Sequence, residues 1–246
     1  MAVSASFAAA IRPNITMLLL ALNGGYVDTM SFLALHGLFA AHVTGNFVTL
    51  GASLVLGTTG VAAKLIALPV FCIGVVVARL LRYHLEQRGR PVLRSLLLIQ
   101  LLLLSIAAVF AAKFGPFPNG DGIGAVVTGM TLVAAMAIQN AAHRVHFPTS
   151  PPSTVMTGTT TEIMLDLADL LHGESGEARK TTKARMWRLC QTVLVFAGGC
   201  ASAAVLYVIG GDLSFRAPPV IALLTLVIAP RDVEQTTSVL PSTNRP

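Results

Sequence analysis

Residues 38–57, LFAAHVTGNFVTLGASLVLG, decide how this chain folds. The stretch is apolar, yet it is punctuated by Thr44-Gly45-Asn46, and only the part after that step reads as an uninterrupted helix, with Thr44 or Asn46 as its N-cap. A second copy of the pattern stands at residues 153–171, STVMTGTTTEIMLDLADLL, where Thr157-Gly158-Thr159 occupies the same place. Each copy follows an apolar segment that carries polar residues, Asn23 and Asp28 in the first case and Gln139 and Asn140 in the second. The pairing reads as an internal duplication with the two Thr-Gly motifs at its centre.

The rest of the chain sets the solvent in which that duplication folds. Hydrophobic residues make up 54% of the 246 and charged residues 11%, with a mean hydropathy of +0.74. A water-soluble domain carries about 25% charged residues, so the chain is an integral membrane protein, with runs long enough to cross a bilayer. The net charge of +6 comes from Lys and Arg in short loops between apolar runs, as membrane topology requires. No basic stripe with interleaved aromatics is present, which argues against a nucleic-acid partner. Cys72, Cys190 and Cys200 lie in apolar segments without metal-ligand spacing and read as small buried hydrophobes. No cofactor is expected.

Eight segments follow from hydropathy: 14–36, 38–57, 61–81, 95–112, 122–142, 154–171, 189–209 and 216–230. Pro69 offers a kink in the third. The fourth reads as a plain lipid-compatible span with a single Gln100. Loop 79–94 and loop 172–188 are both basic. If all eight segments crossed, these loops would face opposite sides, in conflict with the positive-inside rule. The conflict vanishes if 38–57 and 154–171 enter and leave on one side. The expected fold is therefore all-α, with about six full transmembrane helices, two re-entrant or broken helices and an inverted 3+3 repeat, residues 14–112 and 122–230. Residues 1–13 form a cytoplasmic N-terminus and 231–246 a disordered C-terminal tail. The first span would serve as the targeting signal, and both termini would be cytoplasmic.

An aspartate in mid-span is costly unless it faces protein or water, so Asp28 marks a functional interior or else caps a helix break near an interface. Gly24 and Gly25 beside it let another helix or a broken backbone approach. Glu162, Asp166 and Asp169 fall on one helical face, either as coupling or charge-pairing groups or as the solvated face of an interfacial helix.

Gly25-Tyr26-Val27-Asp28, Phe39, His42-Val43-Thr44-Gly45-Asn46, Gln139-Asn140-Ala141 and Thr157-Gly158-Thr159 resemble the YoaK-like family of bacterial inner-membrane proteins, over roughly residues 14–230. The resemblance implies a polytopic protein of the bacterial inner membrane with about six or seven spans. It supplies neither substrate nor catalytic residues.

The leading functional expectation is a small transporter or channel. Its substrate or ion would bind between the Thr-Gly motifs near the midplane, at Asp28, Asn23, Thr44, Asn46, Gln139, Asn140, Thr157 and Thr159. Broken helices at that depth build such sites in inverted-repeat transporters. Asp28 would be the protonatable or cation-coupling group. A half-helix N-terminus favours anions and Asp28 favours cations, so the sign of the solute stays open. A structural or regulatory membrane subunit is the alternative. An enzyme acting on a lipid-like substrate fits less well, because the histidines are scattered and no acidic motif of fixed spacing is present. The bilayer and a small solute or ion are the expected partners, and homo-oligomerisation is compatible with so small a bundle.

Overall fold

The computed structural model describes residues 2–148, 150–154 and 156–230, with side chains from residue 13 onward. The expected disordered tail at 231–246 lies outside them. Among the described residues all regular secondary structure is helical: α1 (Ala2–Ala34), α2 (Gly45–Leu56), α3 (Val61–Gln87), α4 (Val92–Phe114), α5 (Ile123–His146), α6 (Met156–His172), α7 (Gly176–Gly210), a 3-10 helix (Gly211–Arg216) and α8 (Ala217–Ile228).

Five stretches are long and apolar enough to cross a membrane: Pro13–Ala34, Val61–Gln87, Val92–Phe114, Ile123–His146 and Gly176–Ile228, the last covering both α7 and α8. Their outward faces carry Leu65, Ile73, Val76, Leu102, Val109, Val205 and Val208 in the open. Such a surface suits lipid, where exposed aliphatic side chains carry no hydration cost. The same fact corrects the reading of the cysteines: Cys72 is exposed on α3, while Cys190 and Cys200 are half-buried. An apolar segment in a bilayer protein has two apolar environments, and hydropathy does not separate them.

α1 runs unbroken through Asn23-Gly24-Gly25, and α3 continues through Pro69. α7 begins at Gly176, well inside what reads as a basic loop. Ala, Arg, Lys and Glu are good helix formers, and Lys180 pairs with Glu177 one turn away at 2.6 Å.

α1 packs on α7, and α3 on α5; α4 packs on α5, and α8 on α1; α2 lies on α3, and α6 on α7. α2 and α6 do not touch one another among the described residues. The expectation that the two Thr-Gly segments can meet is not how the chain packs, because each short helix is bonded to the helix that follows it: Lys64 Nζ donates to Ser53 Oγ at 2.6 Å, and Arg185 Nε donates to Asp166 Oδ2 at 3.0 Å.

The core divides into two apolar clusters. One contains Tyr26, Met30, Leu104, Leu132 and Met136; the other contains Leu20, Leu93, Leu96, Leu97 and Ile138. Along α1 and α4 the boundary between them falls around Asn23 and Gln100, and on α5 Gln139 lies next to it. All three are buried.

Candidate functional site: a polar belt and the cavity beside it

Gln139 is the centre of the polar contacts at that boundary. Its Oε1 accepts from Asn23 Nδ2 at 3.1 Å and from Gln100 Nε2 at 2.7 Å. Its Nε2 donates to Leu20 O at 2.9 Å and to Ser153 Oγ at 3.3 Å. One turn of side chain thus ties α1, α4, α5 and the segment before α6. Asn23 Oδ1 and Gln100 Oε1 remain without a hydrogen-bond partner among the described residues. Gln100 therefore faces the bundle interior, so α4 is more than the plain lipid-compatible span that the sequence suggested. A lone amide within an apolar run was the available signal, since such groups turn inward to find partners.

Ser153 reaches Gln139 because the chain turns back into the bundle after α5 ends at His146. Gln139 lies about 10 Å below that end by helical rise. α6 then returns beside the first part of α7, its residues Asp166 and Leu170 meeting Arg185 and Arg179 in turn. Thr154 Oγ1 donates to Asn140 Oδ1 at 2.8 Å, and Asn140 Nδ2 donates to Met136 O.

The first half repeats the manoeuvre. After α1 ends at Ala34, the chain turns back to the level of Asp28, whose Oδ1 accepts the backbone N–H groups of Ala41 at 2.6 Å and His42 at 3.1 Å. Asn46 closes this loop: it accepts from Phe39 N at 2.9 Å and donates to Phe39 O at 2.8 Å. Thr44 sits at the N-cap of α2 but makes no side-chain capping bond, and both Thr44 and Thr157 are exposed.

Of the expected site residues, then, Asn23, Gln139 and Asn140 are joined in or beside the belt, while Asp28 and Asn46 hold the loop before α2. Thr159 is buried, and its Oγ1 has no partner among the described residues. On α6 only Asp166 of the three acids is buried; Glu162 and Asp169 are exposed, so the one helix combines the charge-paired and the solvated reading.

Close backbone approach fixes these elements. A β-carbon on Gly24 would lie 2.6 Å from Ser153 O, and one on Gly25 would collide with Phe196 O of α7. Gly199 meets Leu22 O in the same way, whereas nothing lies near Gly198. The glycines thus admit both a helix and a non-helical segment, as their positions imply.

Beside the belt lies a cavity of about 780 Å³, lined by Asn14, Leu18, Arg144, Pro152, Thr159, Glu162, Arg185, Arg188 and Thr192 among others. Leu18 is about 8 Å along α1 from Asn23, and Pro152 precedes Ser153. A smaller space of about 310 Å³ lies between α1, α2 and α3, lined by Phe32, His36, Gly37, Thr49, Ser53 and Lys64. At the end of the bundle near that smaller space the connecting segments are bonded to one another. Asp121 accepts the N–H groups of Gly60 and Ala62 at 2.8 Å each, His36 Nε2 bonds Phe117 O at 2.7 Å, and Tyr26 donates its hydroxyl to Ser214 O at 2.9 Å. Sequence reading missed Ser153, Arg144, Arg188 and the Ser53–Lys64 pair.

No solved structure matches the chain. It is 32% identical over 170 residues to UPF0700 transmembrane protein YoaK of Bacillus subtilis (strain 168), an alignment covering 67% of this chain and 71% of that one. Residues 16–229 match the family described as "Protein of unknown function (DUF1275)", and the chain belongs to that YoaK-containing family of transmembrane proteins.

Proposed function

We propose that the protein is a small non-catalytic carrier of the bacterial inner membrane, built as an inverted 3+3 repeat with α2 and α6 re-entrant. The observation that carries this reading is the inequality of the two ends: a large cavity opens where Arg144, Arg185 and Arg188 stand, and at the opposite end the connecting segments are bonded to one another beside a much smaller space. Arginine marks the cytoplasmic end, so the arrangement is an inward-open one, with both termini cytoplasmic.

The packing supports the repeat. Exchanging α1–α4 with α5–α8 turns the α1–α7 contact into α5–α3, α4–α5 into α8–α1, and α2–α3 into α6–α7. The same exchange takes the Ser53–Lys64 bond to Asp166–Arg185 and the Asp28–His42 bond to Asn140–Thr154, both of which join residues 14 apart. It also takes the small outer space to the large inner one. In inverted-repeat carriers such an exchange of half conformations is what opens one side as it closes the other. α2 is about 18 Å long, too short for the roughly 30 Å hydrocarbon layer. The 3-10 helix and α8 together reach about 30 Å, which provides the sixth crossing.

The transported solute would pass the Asn23–Gln100–Gln139 belt, where amides free of charge can exchange one hydrogen-bond partner for another. Asp28 would couple by protonation: a neutral carboxyl is a weaker acceptor for the Ala41 and His42 N–H groups, so a proton there loosens the outer loop. The test is flux in proteoliposomes with Asp28→Asn and Gln139→Leu. Loss of flux with normal expression and assembly supports the carrier. A protein that conducts nothing, and whose Thr159→Cys and Ser53→Cys variants show fixed accessibility under all ion and solute gradients, is a structural subunit instead.

A further inference from the structure

The charged residues lining the inner cavity are Arg144 at the end of α5, Arg185 and Arg188 on α7, and Glu162 on α6. Arg185 is committed: its guanidinium meets both carboxylate oxygens of Asp166, which is wholly buried behind it. Arg144 and Arg188 have no ion-pair partner among the described residues and come from different helices. They face a single carboxylate, so the cavity carries an excess of positive charge.

Another part of its wall is the first turn of α6. Gly158 and Thr159 line the cavity there, where the N–H groups of a helix start have no intrahelical acceptor and the helix dipole is positive. Thr159 is the second, independent sign of a ligand. It is 1% exposed, and its hydroxyl has no hydrogen-bond partner among the described residues. The neighbouring Thr160 and Thr161 instead satisfy theirs on Met156 O and Thr157 O one turn back. A buried hydroxyl without a partner among the described residues, on the wall of a cavity, is a donor available to a ligand there.

We propose that this cavity binds a small oxyanion of the phosphate type, held by Arg144 and Arg188 from two sides and by the Thr159 hydroxyl and the α6 N-terminus from a third. Two guanidinium groups suit the several acceptor oxygens of such a group and give bidentate contacts. A volume of about 780 Å³ is that of a small-molecule site. The oxyanion is either a free solute or the headgroup of an anionic phospholipid, since both present the same oxygens. The proposal rests on the carrier reading only for its consequence, that the anion is the cargo.

The full chain, purified in an uncharged detergent, is titrated with inorganic phosphate by calorimetry at constant ionic strength. Saturable binding is expected, weakened on the order of tenfold or more in Arg188→Gln, because a charge-assisted bond is lost. Arg144→Gln should act the same way, and Thr159→Val should weaken binding less. Lys113→Gln at the opposite end should leave it unchanged. If phosphate itself does not bind, phosphatidylglycerol in nanodiscs is the second probe, and retention that depends on Arg144 and Arg188 assigns the site to a headgroup. Should neither probe bind, or should Lys113→Gln weaken binding as much as Arg188→Gln, the site is overturned, since diffuse charge would then explain everything. Flux separates the two readings. Arg188-dependent binding without phosphate flux keeps the site and removes the cargo role, whereas flux of other solutes without phosphate binding removes the site and keeps the carrier.

Discussion

Asn23 donates its amide to Gln139 across the middle of the bundle at 3.1 Å, and both side chains are buried. This bond makes α1, α5 and, through Ser153, the segment before α6 one unit. Gln139→Leu would leave Asn23 Nδ2, Gln100 Nε2 and Ser153 Oγ short of a partner, at a cost of about 1–3 kcal/mol. Thermal melting of the purified protein should show the loss. Gln100→Leu added to Gln139→Leu should recover part of it, because the second change removes one of the stranded donors.

The contact of α1 with α7 depends on the absence of side chains at Gly25 and Gly199. Gly199→Ala should force the helices apart, destabilising the fold by about 1–3 kcal/mol as overpacking does. Gly198→Ala is the control, since nothing lies within 4 Å of a β-carbon there. Equal melting temperatures for the two variants would show that the α1–α7 approach is not as close as described.

Asn46 and Thr44 stand two residues apart in one motif and do different work. The Asn46 amide gives and receives a bond with the Phe39 backbone; the exposed Thr44 side chain makes no capping bond. Asn46→Ala should cost about 1–3 kcal/mol by leaving the Phe39 groups unpaired. Thr44→Ala should stay within about 0.5 kcal/mol. The pair is read by melting, with protease resistance of the loop at 35–44 as a second measure.

These cases show what could be read from residues alone. The membrane class was legible, since charge density and hydropathy are one-dimensional properties. The role of Asn46 was not: a polar residue at a helix start looks the same whether it serves a solute or a loop, and only the position of Phe39 in space decides. Gln100 was misread for a related reason. Hydropathy averages a window, while burial depends on which way one side chain points. The cavity arginines were read as topology signals. Arg144 and Arg188 do lie at the arginine-bearing end, but no local pattern states that α5 and α7, which do not pack on one another among the described residues, line one cavity there.

Asp166 is wholly buried, whereas the side chain of its partner Arg185 is 53% exposed. Removing the two partners should therefore have unequal effects. Arg185→Gln strands a carboxylate in the protein and should cost more than Asp166→Asn, after which Arg185 can reach water along its own stem. We expect about 1–3 kcal/mol for Arg185→Gln, below the figure for fully buried pairs because the arginine half is solvated. Glu162→Gln and Asp169→Asn, on the exposed faces of the same helix, should change melting by less than about 0.5 kcal/mol. If all four substitutions cost the same, α6 is an interfacial helix without a buried face.

Re-entry of α6 is open to a direct test at two exposed positions, Gln87 and Ser175, which stand at the ends of α3 and at the start of α7. In a chain lacking Cys72, Cys190 and Cys200, Gln87→Cys and Ser175→Cys are labelled in intact cells with a membrane-impermeant thiol reagent. Three segments separate the two positions: α4, α5 and α6. With α6 entering and leaving on one side, only α4 and α5 cross, so both cysteines are cytoplasmic and react only after permeabilisation. Labelling of Ser175→Cys in intact cells while Gln87→Cys stays protected would mean that α6 crosses fully. The turn from α5 back to Gln139 would then be a passage rather than a return, and the exchange symmetry between the two halves would lose its physical basis.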